Sequence, residues 1–251
     1  MSKLLKIVQL YPREMNIYGD HGNAQVLKKR AELYGFDVEI AAHEIGNSAK
    51  ETLQTADILL GGGGQDSGQA LILGDLQKNG QVIRELAADG LPMLMVCGLY
   101  QLFGNIFRTQ NGDEMTGISV FDAETVAGDK RLIGNIILQT DFDEIVGYEN
   151  HSGLTTLQNG QAAFGEVTKG AGNNCQDKTE GARSFNVFGS YLHGPILPKN
   201  PKFADELIRL AAERKFEQKV LKPRDEQAAE ELKKLDEIAE KARQIVMKRP
   251  R

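Results

Sequence analysis

Short apolar runs alternate with stretches of helical period through the first part of the chain. Lys6 to Leu10 is an opening run, Val38 to Ile40 a second, and Ala56-Asp57-Ile58-Leu59-Leu60 a third that ends in Gly61-Gly62-Gly63-Gly64. Leu91 to Val96 makes a fourth and stops at Cys97-Gly98. A loop through Asn16 to Asn23 separates the first run from Ala24 to Tyr34, where the spacing predicts a helix, as it does over Gln77 to Ala88. Strands alternating with helices predict an α/β fold, a mostly parallel sheet flanked by helices.

From Gly112 to Phe188 the pattern changes to glycine-punctuated β-like segments, Arg131 to Leu138 and Phe185 to Phe188 among them. These read as the antiparallel portion of the same domain. Phe203 to Phe216 returns to helical period. After Lys222-Pro223 the composition turns to Glu, Lys and Ala, and the proline is suited to open a helix. Ala228, Leu232, Leu235, Ala239, Ala242 and Val246 share one face of that helix. The chain therefore divides into a domain over residues 1–216 and a charged amphipathic C-terminal helix over 223–248. Such a helix either folds back on its own body or docks a partner.

Composition narrows the classes. A chain of 251 residues, 41% hydrophobic, can bury a substantial core. A formal net charge of -5 with no basic stripe argues against a nucleic-acid partner held by phosphate neutralisation. No stretch has the apolar length of a transmembrane segment, and Met1 to Leu10 reads as a first strand, not a signal peptide, so a cytoplasmic protein is expected. The two cysteines, Cys97 and Cys175, form no disulfide framework and no zinc-ligand spacing, so no metal site is expected.

Cys97 stands where a strand gives way to a helix. An isolated cysteine is more often a small buried hydrophobe. A strand-to-helix turn, however, lifts a thiol clear of the sheet and aims the first N–H groups of the helix at it, and Gly98 leaves room for a substrate. A thiol needs a base, and the chain offers His21, His43, His151 and His193. His193 ends a strand-like run and is stopped by Gly194-Pro195, which would bring it to the same sheet edge as Cys97. Gly61 to Gly64 suit a loop whose N–H groups face an oxyanion. Neither a G-x-G-x-x-G dinucleotide fingerprint nor a phosphate loop fits, so any ATP would be bound by another polypeptide.

Met95-Val96-Cys97-Gly98-Leu99-Tyr100-Gln101, Gly147-Tyr148-Glu149-Asn150-His151-Ser152-Gly153 and Gly189-Ser190-Tyr191-Leu192-His193-Gly194 resemble segments of class I glutamine amidotransferase domains of the cobyric acid synthase (CobB/CobQ) type. Met95 and Leu99 stand where that family has small residues. Tyr18-Gly19-Asp20, Gly62-Gly63-Gly64-Gln65-Asp66, Arg131 with Gly134-Asn135, and the run from Asn186 to Pro201 look like the GatD type, the glutaminase subunits of lipid II isoglutaminyl synthases.

The resemblance implies a flavodoxin-like sheet, Cys97 as nucleophile, His193 as base and acid, and Arg131 and Gln101 as glutamine-binding residues. It implies oxyanion donors in the backbone of Gly62, Gly63 and Gly98. It implies a heterodimer with a Mur-ligase-like subunit that holds ATP and Mg and amidates the D-glutamate of lipid II near the inner face of the membrane, this chain needing no cofactor. One departure stands out: the family's orienting glutamate, two residues past the histidine, is Pro195 here. Asp20 or the partner would have to replace it. A glutaminase serving another amidating synthetase and a non-catalytic scaffold of a ligase are the alternatives.

Overall fold

The computed structural model describes residues 3–249. Elements are numbered in chain order. The first sheet contains β1 (Lys3–Leu10), β2 (Phe36–His43), β3 (Ile58–Gly61), β4 (Met93–Val96), β11 (Ala182–Ser184) and β12 (Val187–Ser190), in the order β11-β12-β4-β3-β1-β2. All neighbours are parallel except β11, which runs antiparallel to β12. Every residue of β3 and β4 is buried, as central strands covered on both faces require.

α1 (His21–Leu33) links β1 to β2, and α2 (Asp66–Ala88) links β3 to β4. These crossovers step in opposite directions from the centre of the sheet, so right-handed connections put the two helices on opposite faces. The sheet is thus the doubly wound type, with its topological switch between β1 and β3, and ligands in such sheets lie outside the carboxyl ends of the strands. α3 (Gly98–Leu102) follows β4 directly, and α4 (Pro201–Phe216) packs beside α1.

The β-rich middle of the chain does more than extend this sheet. β5 (Ile106–Arg108), β6 (Glu114–Thr116), β7 (Ala123–Gln139), β8 (Glu144–Leu157), β9 (Gly165–Lys169), β10 (Thr179–Glu180) and β13 (Leu192–His193) build a second, mostly antiparallel sheet. Its spine is the long β7–β8 hairpin, whose register shifts between Ala127 and Leu132. Alternate residues of β8, among them Glu149, His151 and Thr155, are buried. The hairpin therefore turns a polar stripe inward, towards the end of the first sheet that carries Cys97.

Two helices begin earlier than their periodicity predicts. α1 starts at His21, three residues before Ala24, because the Asn16 Oδ1 accepts the His21 N–H at 2.8 Å and holds the turn. α2 starts at Asp66 and not at Gln77. Gly68 and Gly74 weaken its pattern, yet Gly68 allows close approach of the β1–α1 loop: a Cβ there would lie 3.1 Å from the Glu14 carbonyl oxygen.

The C-terminal helix folds back on the body. α5 (Glu226–Lys248) is capped by Asp225, which accepts the Ala228 N–H at 2.7 Å, so Pro223 precedes the cap and does not open the helix. Ala228 and Leu232 pack on Leu33 and Tyr34. Arg30 of α1 clamps the arrangement, bidentate to Asp205 at 2.6 Å and bonded to Asp236 at 2.7 Å. Arg243 reaches the buried Asn200 Oδ1 at 2.9 Å.

Candidate active site

β4 ends in a sharp elbow. Cys97 has φ 52° and ψ -106°, a backbone conformation that costs a non-glycine residue about 1–3 kcal/mol and persists only where the surroundings impose it. Here the Cys97 N–H is donated to the Ser190 carbonyl at 2.8 Å and its own carbonyl accepts the Gln101 N–H at 3.0 Å. Space at Gly98 is tight: a Cβ would lie 2.8 Å from Met15 Cε and 3.2 Å from the Gly64 nitrogen. The two residues that depart from the family's elbow share a neighbour. Leu99 Cδ1 and Met95 Sδ both press on Gly61, where a Cβ would fall 2.4 and 2.7 Å from them.

The structure brings His193 to this elbow across Gly63. A Cβ on Gly63 would lie 2.9 Å from His193 Cε1 and 3.1 Å from Cys97 Cβ. The imidazole is buried under Tyr18, ring centroids 4.2 Å apart. Neither ring nitrogen has a hydrogen-bond partner among the described residues, so His193 and Cys97 face each other without yet sharing a proton.

Asp20 does not orient His193. It occupies the N-cap position of α1, but its carboxylate turns inward and Oδ2 accepts the Gly63 N–H at 2.9 Å. That bond also removes the Gly63 amide from the oxyanion donors expected of the glycine loop. The Gly98 N–H, by contrast, favours the charged form of the Cys97 thiol, and Gly62 lies against Asp20, with room for no Cβ.

Burial sets the protonation of the group. It pushes the Cys97 thiol up to about 12, with the Asp20 carboxylate adding to the effect; the Gly98 N–H and the Arg131 guanidinium pull the other way. Burial lowers His193 to about 3, helped by His151 and Arg131, and raises Asp20 to about 6 against the Gly63 N–H. At neutral pH the pair is therefore a thiol and a neutral imidazole, not an ion pair.

Cys97 opens into a cavity of about 360 Å³ whose walls include Tyr18, Asp66, Gln101, Arg131 and Asn150. Arg131, at the shifted register of β7, donates through Nε to Asn150 Oδ1 at 2.6 Å and through Nη2 to the Tyr18 hydroxyl at 3.0 Å. Its Nη1 has no hydrogen-bond partner among the described residues, which leaves an edge of the guanidinium for a carboxylate. Gln101 is committed to the frame: Oε1 accepts from Gln69 at 2.9 Å and Nε2 donates to the Tyr191 hydroxyl at 3.2 Å. It supplies a wall of the cavity, its amide held in place by these two bonds.

The remaining residues singled out from sequence divide clearly. His151 lines the cavity, bonds the Gly153 carbonyl at 2.8 Å and stacks on Tyr191 at 3.7 Å. His21 and His43 lie in other networks, with Gln9 and with Thr52 and Asp75. Cys175 is exposed on a loop. Among the described residues no group of acids, histidines and cysteines could hold a metal ion, and no helix is long and apolar enough to cross a membrane. Tyr18 and Asn150, inside segments that resemble the family but assigned no role there, carry structural weight at the site, as does Glu180. Glu180 accepts the Tyr191 N–H at 2.6 Å and the Ser190 hydroxyl at 3.2 Å, fixing the strand break that leads to His193.

Comparison with known proteins gives the chain's family and fold. The family model for the CobB/CobQ-like glutamine amidotransferase domain matches residues 6–201. The GatD subunit of lipid II isoglutaminyl synthase (glutamine-hydrolyzing) from Staphylococcus aureus is 40% identical over 212 residues, 84% of this chain and 86% of the relative. The same subunit from Streptococcus pneumoniae is 37% identical over 222 residues, 87% and 85% of the two chains. The solved structure of PurLQS from Thermotoga maritima shares the fold at a TM-score of 0.53 and 16% identity, over 87% of this chain and 98% of that one.

Proposed function

The chain belongs to the CobB/CobQ-like glutamine amidotransferases, in their GatD branch, and from that premise we propose that it is the glutaminase subunit of a lipid II isoglutaminyl synthase. The observation that carries the reading is Cys97 held in a left-handed elbow at the wall of a cavity that also presents Arg131.

In this reading Arg131 receives the α-carboxylate of glutamine and sets the side-chain carboxamide at the elbow. His193, neutral in its buried site, takes the thiol proton as Cys97 Sγ bonds to the carboxamide carbon. The oxyanion so formed is met by the Gly98 N–H. The imidazolium returns the proton to the amide nitrogen as the C–N bond breaks, releasing ammonia and leaving a γ-glutamyl thioester. Water then adds, its proton passing through His193, and glutamate departs with the thiol restored.

With Asp20 committed to Gly63, the acceptor that would orient His193 comes from the ligase subunit, so glutamine hydrolysis is expected to be slow in the isolated chain. The ammonia passes to that Mur-ligase-like, ATP- and Mg-dependent subunit, which amidates the D-glutamate of the lipid II stem. The test is reconstitution with the ligase. The wild-type pair is expected to amidate lipid II from glutamine or from ammonia, and the Cys97→Ala pair from ammonia alone. Glutamine-dependent amidation by the Cys97→Ala pair would overturn the assignment.

A further inference from the structure

Resting on this reading, the geometry points to Asp66, which lines the same cavity as Arg131, as the residue that receives the α-ammonium group of glutamine, so that the cavity selects a free amino acid over a glutamine side chain within a peptide.

The cavity beside Cys97 is lined by one carboxylate, Asp66, and one guanidinium, Arg131. Asp20, the other acid near the elbow, is buried behind the glycine loop and already holds the Gly63 N–H. Asp66 has the opposite character. It is exposed, opens α2 directly after the glycine loop, and has no side-chain hydrogen bond or ion pair among the described residues. Arg131 is half-anchored, by Asn150 and Tyr18, and its remaining N–H groups have no partner among the described residues.

Both charges reach the sulfur: Arg131 draws the Cys97 thiol down and Asp66 pushes it up. The cavity thus has a nucleophile at one wall and a pair of opposite charges within electrostatic range of it. Glutamine matches that arrangement, because its ammonium and carboxylate share one carbon while its carboxamide stands two methylenes away. A glutamine residue inside a peptide carries neither charge, and it would strip water from Asp66 and Arg131 without replacing it. A site built on charged partners rejects such a ligand strongly.

The experiment compares L-glutamine with glutaramate, which keeps the carboxamide and the carboxylate but lacks the α-amino group. Release of the carboxylate product is followed with the full chain in complex with its ligase subunit. The wild type is expected to favour glutamine by about tenfold or more in kcat/KM, as loss of one charged hydrogen bond implies. Asp66→Asn should erase most of that preference by raising KM for glutamine, with glutaramate turned over as before. Asp66→Glu should keep a preference above that of Asp66→Asn. Equal use of both substrates by the wild type, or an Asp66→Asn variant that slows both alike or neither, overturns the inference and leaves the glutaminase reading standing. A wild-type complex that hydrolyses no glutamine overturns the glutaminase reading, and this inference with it.

Discussion

Gly63 lies between Cys97 and His193, the nucleophile and base of the proposed chemistry. Its backbone is not in the left-handed region, so alanine is allowed there conformationally, but the added methyl would fall 2.9 Å from His193 Cε1 and 3.1 Å from Cys97 Cβ. Gly63→Ala is therefore expected to cut kcat by about a hundredfold, as displacing an aligned catalytic pair does, while the thermal midpoint changes little. An active variant would show that the pair does not work across this residue. The thiol itself makes a second prediction. With Cys97 raised to about 12, its alkylation by iodoacetamide at pH 8 should be far slower than that of the exposed Cys175. Peptide mapping separates the two, and preferential labelling of Cys97 would reveal a thiolate–imidazolium pair instead.

Stability records the same buried groups. His193 sits at about 3 against an ordinary 6.5, so the unfolded chain binds its proton first; the stability it contributes is present above about 6.5 and lost as pH falls towards 3. Glu180 is raised by burial, with Glu149 adding repulsion, to about 8 from 4.5. Its contribution is present below about 4.5 and declines as pH climbs towards 8. Glu180→Gln should flatten that upper decline in denaturant titrations run between pH 5 and pH 8, conditions chosen to bracket the shift. A decline as steep as that of the wild type would place the titrating group elsewhere.

At the scale of elements, the buried strands were legible because short apolar runs such as Ile58 to Leu60 and Met93 to Val96 admit little else. The start of α2 was hidden by Gly68 and Gly74; Gly68 allows close approach to a loop that is distant in sequence, while Gly74 faces open space. The second sheet was hidden for a related reason. The β7–β8 hairpin buries Glu149, His151 and Thr155, so its inward face reads as polar and gives no core signal. The C-terminal helix was legible as an amphipath, but its destination depends on Arg30, Asn200 and Leu33, which no helical period contains. Leu232→Ala is expected to cost about 2 kcal/mol by opening its small contact with Leu33. Asn200→Ala should cost more, about 3 kcal/mol, because Asn200 bonds Val146 on both its amide and carbonyl sides and also Ile196 and Arg243. Urea unfolding of each variant measures both, and a neutral Asn200→Ala would mean that α5 is not locked through this residue.

At the scale of the whole molecule, the site is a meeting of two sheets. The parallel sheet supplies the Cys97 elbow and the glycine loop at its carboxyl edge, while the antiparallel sheet supplies Arg131, Asn150, His151 and His193. Cys97 and His193 were legible separately, because each ends a strand-like run in a small-residue turn. Their companions were not: Tyr18 covers His193 and bonds Arg131 through contacts spanning most of the domain. Asp20 was legible as an acid in the right region, yet only the fold shows that its carboxylate is taken by Gly63.

The central claim is that Cys97 attacks the side-chain carbonyl of glutamine. It is tested most directly by treating the complex with a glutamine analogue that carries a diazoketone in place of the carboxamide, then locating the adduct by peptide mass spectrometry. One adduct is expected, on Cys97, suppressed by excess glutamine and much reduced in Arg131→Ala. An adduct on Cys175 alone, or labelling of Cys97 that glutamine does not suppress, would contradict the account.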